Sequence, residues 1–405
     1  MVESISGGTV IRYILGRTMK KNKIPARSIL LFLFTCFLIC STSCKKKVVL
    51  NPDTRYVYQQ PEQLDDGWET ASFSDVSMDE SVIVQFMNEF INTIEHQIHG
   101  ILIVKDGKLV FEEYFPGYVH YHGPYTDFNR ETIHNLASVT KSITSALIGL
   151  AIDNGFIQDV NQKVFDFFPE YADLRDVEKD EINLEHLLTM TSGLEWDENT
   201  YPYTDTRNDC VQMFYQGDPI QFILDRPVVV TPGTHYNYNG GCPILLGEII
   251  RKTTGLRADN FAEQYLLSPL GITDFWWKEL PNDICYTAGD MKLRPRDMAK
   301  FGNMYLNNGS WNGKQIISTE WIETSTQPFI RQNPFWEAGY LWWLHTYEVN
   351  YNQIRVFSAR GWGGQRITVV PSLDIVVVFT AGYYDEPDLE SHIYIMTLNI
   401  LASAL

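Results

Sequence analysis

Apolar positions recur every three or four residues in some stretches of the chain and alternate or run together in others, and these changes of period outline its elements. Val82, Phe86, Phe90, Ile91 and Ile94 draw a helical stripe over residues 79–97. Gly100-Ile101-Leu102-Ile103-Val104 and Leu109-Val110-Phe111 flank Asp106-Gly107, the pattern of a β-hairpin. Ile143, Ala146, Leu147, Leu150 and Ala151 give one apolar face to a helix that stops near Gly155. Leu184 to Met190 predicts a short helix closed by Thr191-Ser192-Gly193. Gly241 to Gly255 predicts a longer one, with Leu245, Leu246, Ile249 and Ile250 on its apolar face. Pro295 opens a further helix from a first-turn position. The chain then returns to strands at Arg355–Ala359, Ile367–Val370 and Ile375–Phe379, and residues 391–401 read as a closing helix. Residues 116–135 and 196–219 keep no period and are expected as loops. Strands, then helices, then strands imply an α+β domain whose sheet gathers both chain ends around an inserted helical lobe.

The chain has 405 residues, 44% of them hydrophobic, enough for a large core. Its net charge of −18 and the lack of a long basic stripe exclude a nucleic-acid surface from the expected partners. The start is different. A basic region from Met19 to Arg27 precedes an apolar run from Ile29 to Ile39, and then Ser41, Thr42, Ser43 and Cys44. A basic region, a short apolar stretch and small residues before a cut describe a secretory signal over residues 1–43. Its first 18 residues look like an extension upstream of a start at Met19. The small residues ending at a cysteine resemble a bacterial lipoprotein signal, although Ser41 stands where a larger aliphatic residue is usual. That resemblance implies lipidation of Cys44, a membrane anchor and the periplasmic side of the cell envelope, the alternatives being simple secretion or an uncleaved anchor. Residues 44–75, polar and aperiodic, are expected as the tether and 76–405 as the functional domain. Beyond the signal, Cys44 aside, Cys210, Cys242 and Cys285 are too widely spaced for a zinc motif or a disulfide scaffold.

The candidate chemistry centres on Ser138-Val139-Thr140-Lys141. Ser138 falls at the start of a helix, where backbone N–H groups lack intrahelical partners and the helix end is positive. Lys141 lies one turn along on the same side, within reach of the serine proton. The pattern alone is weak: Ser43 to Lys46 fits it too, and a serine at a helix start is commonly an N-cap. Three more segments give it weight: Leu187-Leu188-Thr189-Met190-Thr191-Ser192-Gly193-Leu194, Pro232-Gly233-Thr234-His235-Tyr236-Asn237-Tyr238-Asn239-Gly240-Gly241, and Gly361-Trp362-Gly363-Gly364-Gln365. Together and in this order, they make residues 80–400 resemble the serine β-lactamase and penicillin-binding-protein-like hydrolases. The likeness is strongest to the branch of esterases, D-aminopeptidases and aminohexanoate-oligomer hydrolases.

The resemblance implies a β-lactamase/transpeptidase-like α+β fold, with an antiparallel sheet and helices on its faces. It implies Ser138 as nucleophile, with Lys141 and Tyr238 as coupled proton-transfer groups. Tyr236, two residues earlier, is the competitor of Tyr238. The third motif of the family maps to Ala359-Arg360-Gly361, and the backbone N–H groups of Ser138 and Trp362 would form the oxyanion hole, with Gly364 as the alternative to Trp362. Two departures count against penicillin-type substrates. Gly240 stands where many relatives carry asparagine, with Asn239 off by one, and Ala359 replaces the basic residue that would bind a substrate carboxylate. The expected substrate is a small ester or amide, with specificity in loops 196–219 and 325–345, and no metal or organic cofactor is implied. The rival readings are a β-lactamase or D-Ala-D-Ala carboxypeptidase, and a non-catalytic lipoprotein that binds peptidoglycan or a partner. His120 and His122 form a possible metal pair with no third ligand nearby. His96 and His99 read as surface or capping residues of the first helix, and His186 as a brace for the turn at Gly193.

Overall fold

The computed structural model describes residues 55–93, 96–119, 123–384 and 390–405. The leader, the lipidation candidate Cys44 and the His120/His122 pair therefore lie outside the described residues. Among the described residues no helix is long and apolar enough to cross a membrane.

The first helix, α1 (Glu80–Thr93), ends earlier than its stripe suggests, and His99 belongs to the strand β1 (Ile98–Lys105) that follows. Asp106 and Gly107, both at positive φ, turn β1 into β2 (Lys108–Tyr114). Helix α2 (Val139–Asp153) begins at the residue after Ser138. It is followed by α3 (Leu184–Leu188), α4 (Gly241–Thr254) and α5 (Pro295–Leu306). Short strands β3 (Ile330–Arg331) and β4 (Glu337–Ala338) then lead into β5 (Trp343–Val349), β6 (Asn352–Gly361), β7 (Gln365–Val370) and β8 (Ile375–Ala381). Helix α6 (Glu390–Ala402) closes the chain.

The eight strands form one antiparallel sheet in the order β3-β4-β5-β6-β7-β8-β1-β2, so the last strand pairs with the first. Two cores flank it. Leu102, Val104, Val376 and Val378 face α2, α5 and the helical lobe. Ile101, Ile103, Val377 and Phe379 face the opposite way, onto the core shared with α1 and α6. Because side chains alternate along a strand, covering both faces makes Ile375–Phe379 apolar throughout. The expected α+β sheet built from both chain ends, with helices on its faces, is the fold observed.

Three expectations need correction. Helix α2 does not present one apolar stripe: Val139 to Ala151 are buried all round. Its polar positions are satisfied from outside, Ser142 Oγ donating to Leu341 O at 2.7 Å and Thr144 Oγ1 to Thr287 O at 2.8 Å. The loop 196–219 contains a helix at Asp209–Phe214, capped by Asn208. Residues 55–75, expected within a tether, pack into the domain: Trp68 and Phe73 are buried, and the Tyr58 hydroxyl donates to Val110 O at 2.8 Å.

Candidate active site

Ser138 sits where the turn after the short strand His134–Asn135 enters α2. Its own side chain does not cap the helix. Instead it points at two others. Lys141 Nζ donates to Ser138 Oγ at 3.0 Å, and the Tyr238 hydroxyl donates to the same oxygen at 2.8 Å. One turn of α2 supplies the first contact. The second comes from the segment running into α4, a hundred residues on. The rival tyrosine does not reach: the Tyr236 hydroxyl points to Met190 Sδ at 3.7 Å.

The backbone around this oxygen is held under strain. Ala137, Met190 and Leu341, all bordering the cleft, have φ of 44°, 55° and 59°. Such a conformation costs a residue with a Cβ about 1–2 kcal/mol. Hydrogen bonds oppose it: Asn135 Oδ1 accepts from Ala137 N at 2.7 Å, Met190 O from Asn237 N at 2.9 Å, and Leu188 O from Leu341 N at 2.8 Å. Gly361, the end of β6, runs against the same turn. A Cβ there would lie 2.3 Å from Leu136 O and 3.1 Å from Ser138 N, so only glycine lets the strand approach the Ser138 turn.

Lys141 is buried, and its Nζ also donates to Ala288 O at 2.6 Å. Burial works to lower its pKa, but Tyr238, then the Glu198 carboxylate, outweigh that and leave it raised. The lysine is thus an ammonium in the resting site. The ring of Tyr238 lies under it, with Nζ 4.9 Å from the centroid.

Two chambers of about 540 and 670 Å³ open on either side of Ser138. Tyr203 and Trp362 border both, their rings 5.3 Å apart. Trp362 therefore borders the same two chambers as Ser138. Gly364 is not available in its place, because its N–H is turned to Gly361 O at 3.3 Å. Ala359 is fully buried, while Arg360 lines the larger chamber with its guanidinium 4.4 Å from the ring centre of Trp336. Asn239 is turned away into the start of α4, where its Oδ1 accepts from Gly241 N at 2.7 Å. His186 caps α3 with Asn183, and its carbonyl holds the Thr191 N–H of the turn toward Gly193 at 2.8 Å. Cys210, Cys242 and Cys285 are buried free thiols.

Sequence reasoning missed Glu198. Its carboxylate is buried beside Ser138 and accepts from Trp196 Nε1 at 2.8 Å, the Tyr203 hydroxyl at 2.8 Å and Gly240 N at 2.6 Å. It lies in an acidic, aperiodic stretch where nothing separates it from solvated neighbours. The one trace was Gly240 in place of asparagine, since a Cβ at 240 would fall 2.8 Å from Glu198 Oε2.

A serine hydroxyl flanked by an ammonium and a phenol, under a two-chambered cleft, is the site of a serine hydrolase. The family model described as Beta-lactamase matches residues 80–396, and the chain belongs to that family. The 6-aminohexanoate-dimer hydrolase of Paenarthrobacter ureafaciens is 24% identical over 307 residues, 71% of this chain and 73% of that one. Among solved structures, a putative 6-aminohexanoate-dimer hydrolase from Bacillus anthracis is similar with a TM-score of 0.64 and 20% identity, covering 86% of this chain and 88% of that one. A family VIII carboxylesterase is similar with a TM-score of 0.58 and 18% identity, covering 78% and 96%.

Proposed function

We propose that this hydrolase cleaves an ester or amide through a covalent acyl-Ser138 intermediate. The observation that carries the reading is the convergence of Lys141 Nζ and the Tyr238 hydroxyl on Ser138 Oγ, at 3.0 and 2.8 Å. A serine hydroxyl needs a neighbouring base to attack a carbonyl at neutral pH. The Lys141/Tyr238 pair takes the Ser138 proton as Oγ attacks, then returns it to the leaving group. With Lys141 charged, the reactive form in this reading has Tyr238 as the phenolate, its proton given up to solvent and its negative charge favoured by the neighbouring ammonium, and the phenolate accepts the Ser138 proton. Backbone N–H groups of Ser138 and Trp362 face the developing oxyanion in this reading.

The buried Ala359 and Asn239, turned away into the start of α4, weigh against penicillin-type substrates, and the two chambers suit an acyl group on one side and a leaving group on the other. The leader and Cys44 support a lipid-anchored enzyme on the periplasmic side, testable by metabolic labelling with a fatty-acid analogue. For the chemistry, a fluorophosphonate should label Ser138, and p-nitrophenyl butyrate should be hydrolysed. Ser138→Ala should end both, and Tyr238→Phe should slow hydrolysis by about 10²–10⁴-fold. Folded wild-type protein that neither labels nor hydrolyses any ester would sink the reading, and rapid nitrocefin turnover would replace it with a β-lactamase.

A further inference from the structure

Lys141 poses a charge problem. An ammonium taken out of water is unstable unless an anion balances it. Among the described residues, no carboxylate lies within 4.0 Å of Lys141 Nζ, which donates to the Ser138 hydroxyl and the Ala288 carbonyl. The balancing charge must act from slightly farther off, and the Glu198 carboxylate acts on Lys141 in that sense.

Glu198 is built for that place. It is 4% exposed, borders the 540 Å³ chamber together with Ser138, and is tied to the residue two beyond Tyr238. Its three donors are an indole N–H, a phenol O–H and a backbone N–H, none of them a cation. Donors of this kind stabilise a buried carboxylate as the anion without neutralising it, so its charge remains to act on the site. The chain also clears space for it. Oε2 lies 2.8 Å and Oε1 3.2 Å from where a Cβ of residue 240 would be, and glycine occupies that position. A merely structural glutamate would be expected to pair with an arginine or lysine, as Asp209 pairs with Arg226 nearby at 2.6 Å.

We infer that Glu198 is a positioning residue of this centre, the anion that keeps Lys141 protonated across the nucleophile and, through its hydrogen bond to Tyr203, holds the aromatic wall between the two chambers. The inference rests on the acyl-serine reading above. It assigns the electrostatics of the site to a residue outside its motifs, and it gives Gly240 a reason. Removing the charge while keeping the shape should let Lys141 lose its proton at lower pH. The alkaline limb of the reaction then moves down.

The test is the rate of Ser138 labelling by a fluorophosphonate at pH 7.5 and 9.5. In Glu198→Gln the ratio of the rate at the higher pH to that at the lower should fall by up to about twofold relative to wild type, because a midpoint that starts above 10.5 and comes down by about one unit leaves about half of the lysines charged at the higher pH. Glu198→Asp, which keeps the charge, should hold the wild-type ratio even if both rates fall. An unchanged ratio in folded Glu198→Gln, or an equal drop in Glu198→Asp, overturns the assignment. If Glu198→Gln fails to fold, as judged by near-ultraviolet circular dichroism, Gly240→Ala carries the test. Its Cβ displaces the carboxylate, so the ratio must again fall, and an unchanged ratio overturns the assignment. Labelling of wild type at neither pH would overturn this inference and the acyl-serine reading together, whereas normal labelling with an unmoved ratio overturns only this one.

Discussion

His99 and His134 form a buried pair on β1 and on the short strand that precedes the Ser138 turn. His99 Nδ1 lies 2.8 Å from His134 Nε2, and His134 Nδ1 lies 2.9 Å from Asn135 O. The carbonyl can only accept, so His134 carries its proton on Nδ1 and receives one from His99. Both rings are neutral in the fold. Burial lowers His134 from 6.5 to about 4; for His99 burial and then the nearby His134 lower it to about 2. In the unfolded chain both would protonate near 6.5, so between that pH and the folded values the unfolded state binds more protons. Stability is therefore full above pH 6.5 and falls as the pH drops toward 4. Replacing one ring, as in His134→Gln, should flatten the dependence of stability on pH across this window by up to about 1.4 kcal/mol per pH unit. Urea midpoints measured from pH 7 to 4.5 give the slope, and an unchanged slope would clear the pair of any part in acid sensitivity. None of this was legible in the sequence. His99 looks like the end of a helical stripe because β1 starts four residues after the last apolar residue of that stripe, and its partner lies 35 residues away with no local pattern to announce it.

At the scale of elements, what could be read was what is local. Ser138 and Lys141 share one helical turn, and the glycines near 361 mark a turn. The family resemblance then joined Tyr238 to them, which no periodicity could do. Strand β5, whose first three residues fall in the expected loop 325–345, was missed for a physical reason. Leu344 is buried in the core under α2, whereas Tyr347 and Val349 are buried in the core under α1 and α6. The strand changes its buried face midway, so an alternation of period two is never sustained. Where β6 ends, the contact between sheet and nucleophile becomes testable. Gly361→Ala would put a methyl group 2.3 Å from Leu136 O and force the strand and the Ser138 turn apart. A misplacement approaching 1 Å at a reacting group costs about 10²-fold. Hydrolysis of p-nitrophenyl butyrate should fall by roughly that factor, while circular dichroism stays that of the folded chain. Full activity in the variant would mean that the strand end does not position Ser138.

The whole molecule is closed by pairing its last strand with its first, and the segment preceding α1 is fastened across that closure by one buried arginine. Arg296, at the start of α5, is 4% exposed. Its Nε donates to Glu112 Oε1 at 2.8 Å and its Nη2 to Glu112 Oε2 at 2.6 Å, a two-pronged contact with β2. Nη1 donates to Asp66 Oδ2 at 2.8 Å, and Nη2 also to Glu62 O at 2.9 Å. The Trp68 indole N–H returns a bond to Arg296 O at 3.3 Å. Three stretches of chain far apart in sequence thus meet on one guanidinium. Forming such a pair in the interior gains little over apolar packing, but removing one partner leaves the other charge stranded, at a cost of about 3–5 kcal/mol. Glu112 would not be wholly stranded in Arg296→Ala: Arg130 stays 3.8 Å away and the Tyr114 hydroxyl still donates at 2.7 Å. The loss should lie toward the lower end, about 3 kcal/mol in urea unfolding. Arg296→Lys should recover only part of it, because an ammonium cannot reproduce the two-pronged contact. If residues 62–68 depend on this anchor, limited proteolysis of the alanine variant should cut there before the sheet opens. A loss under about 1 kcal/mol, the size expected of an exposed ion pair, would mean that Trp68 and Phe73 hold the segment by packing alone.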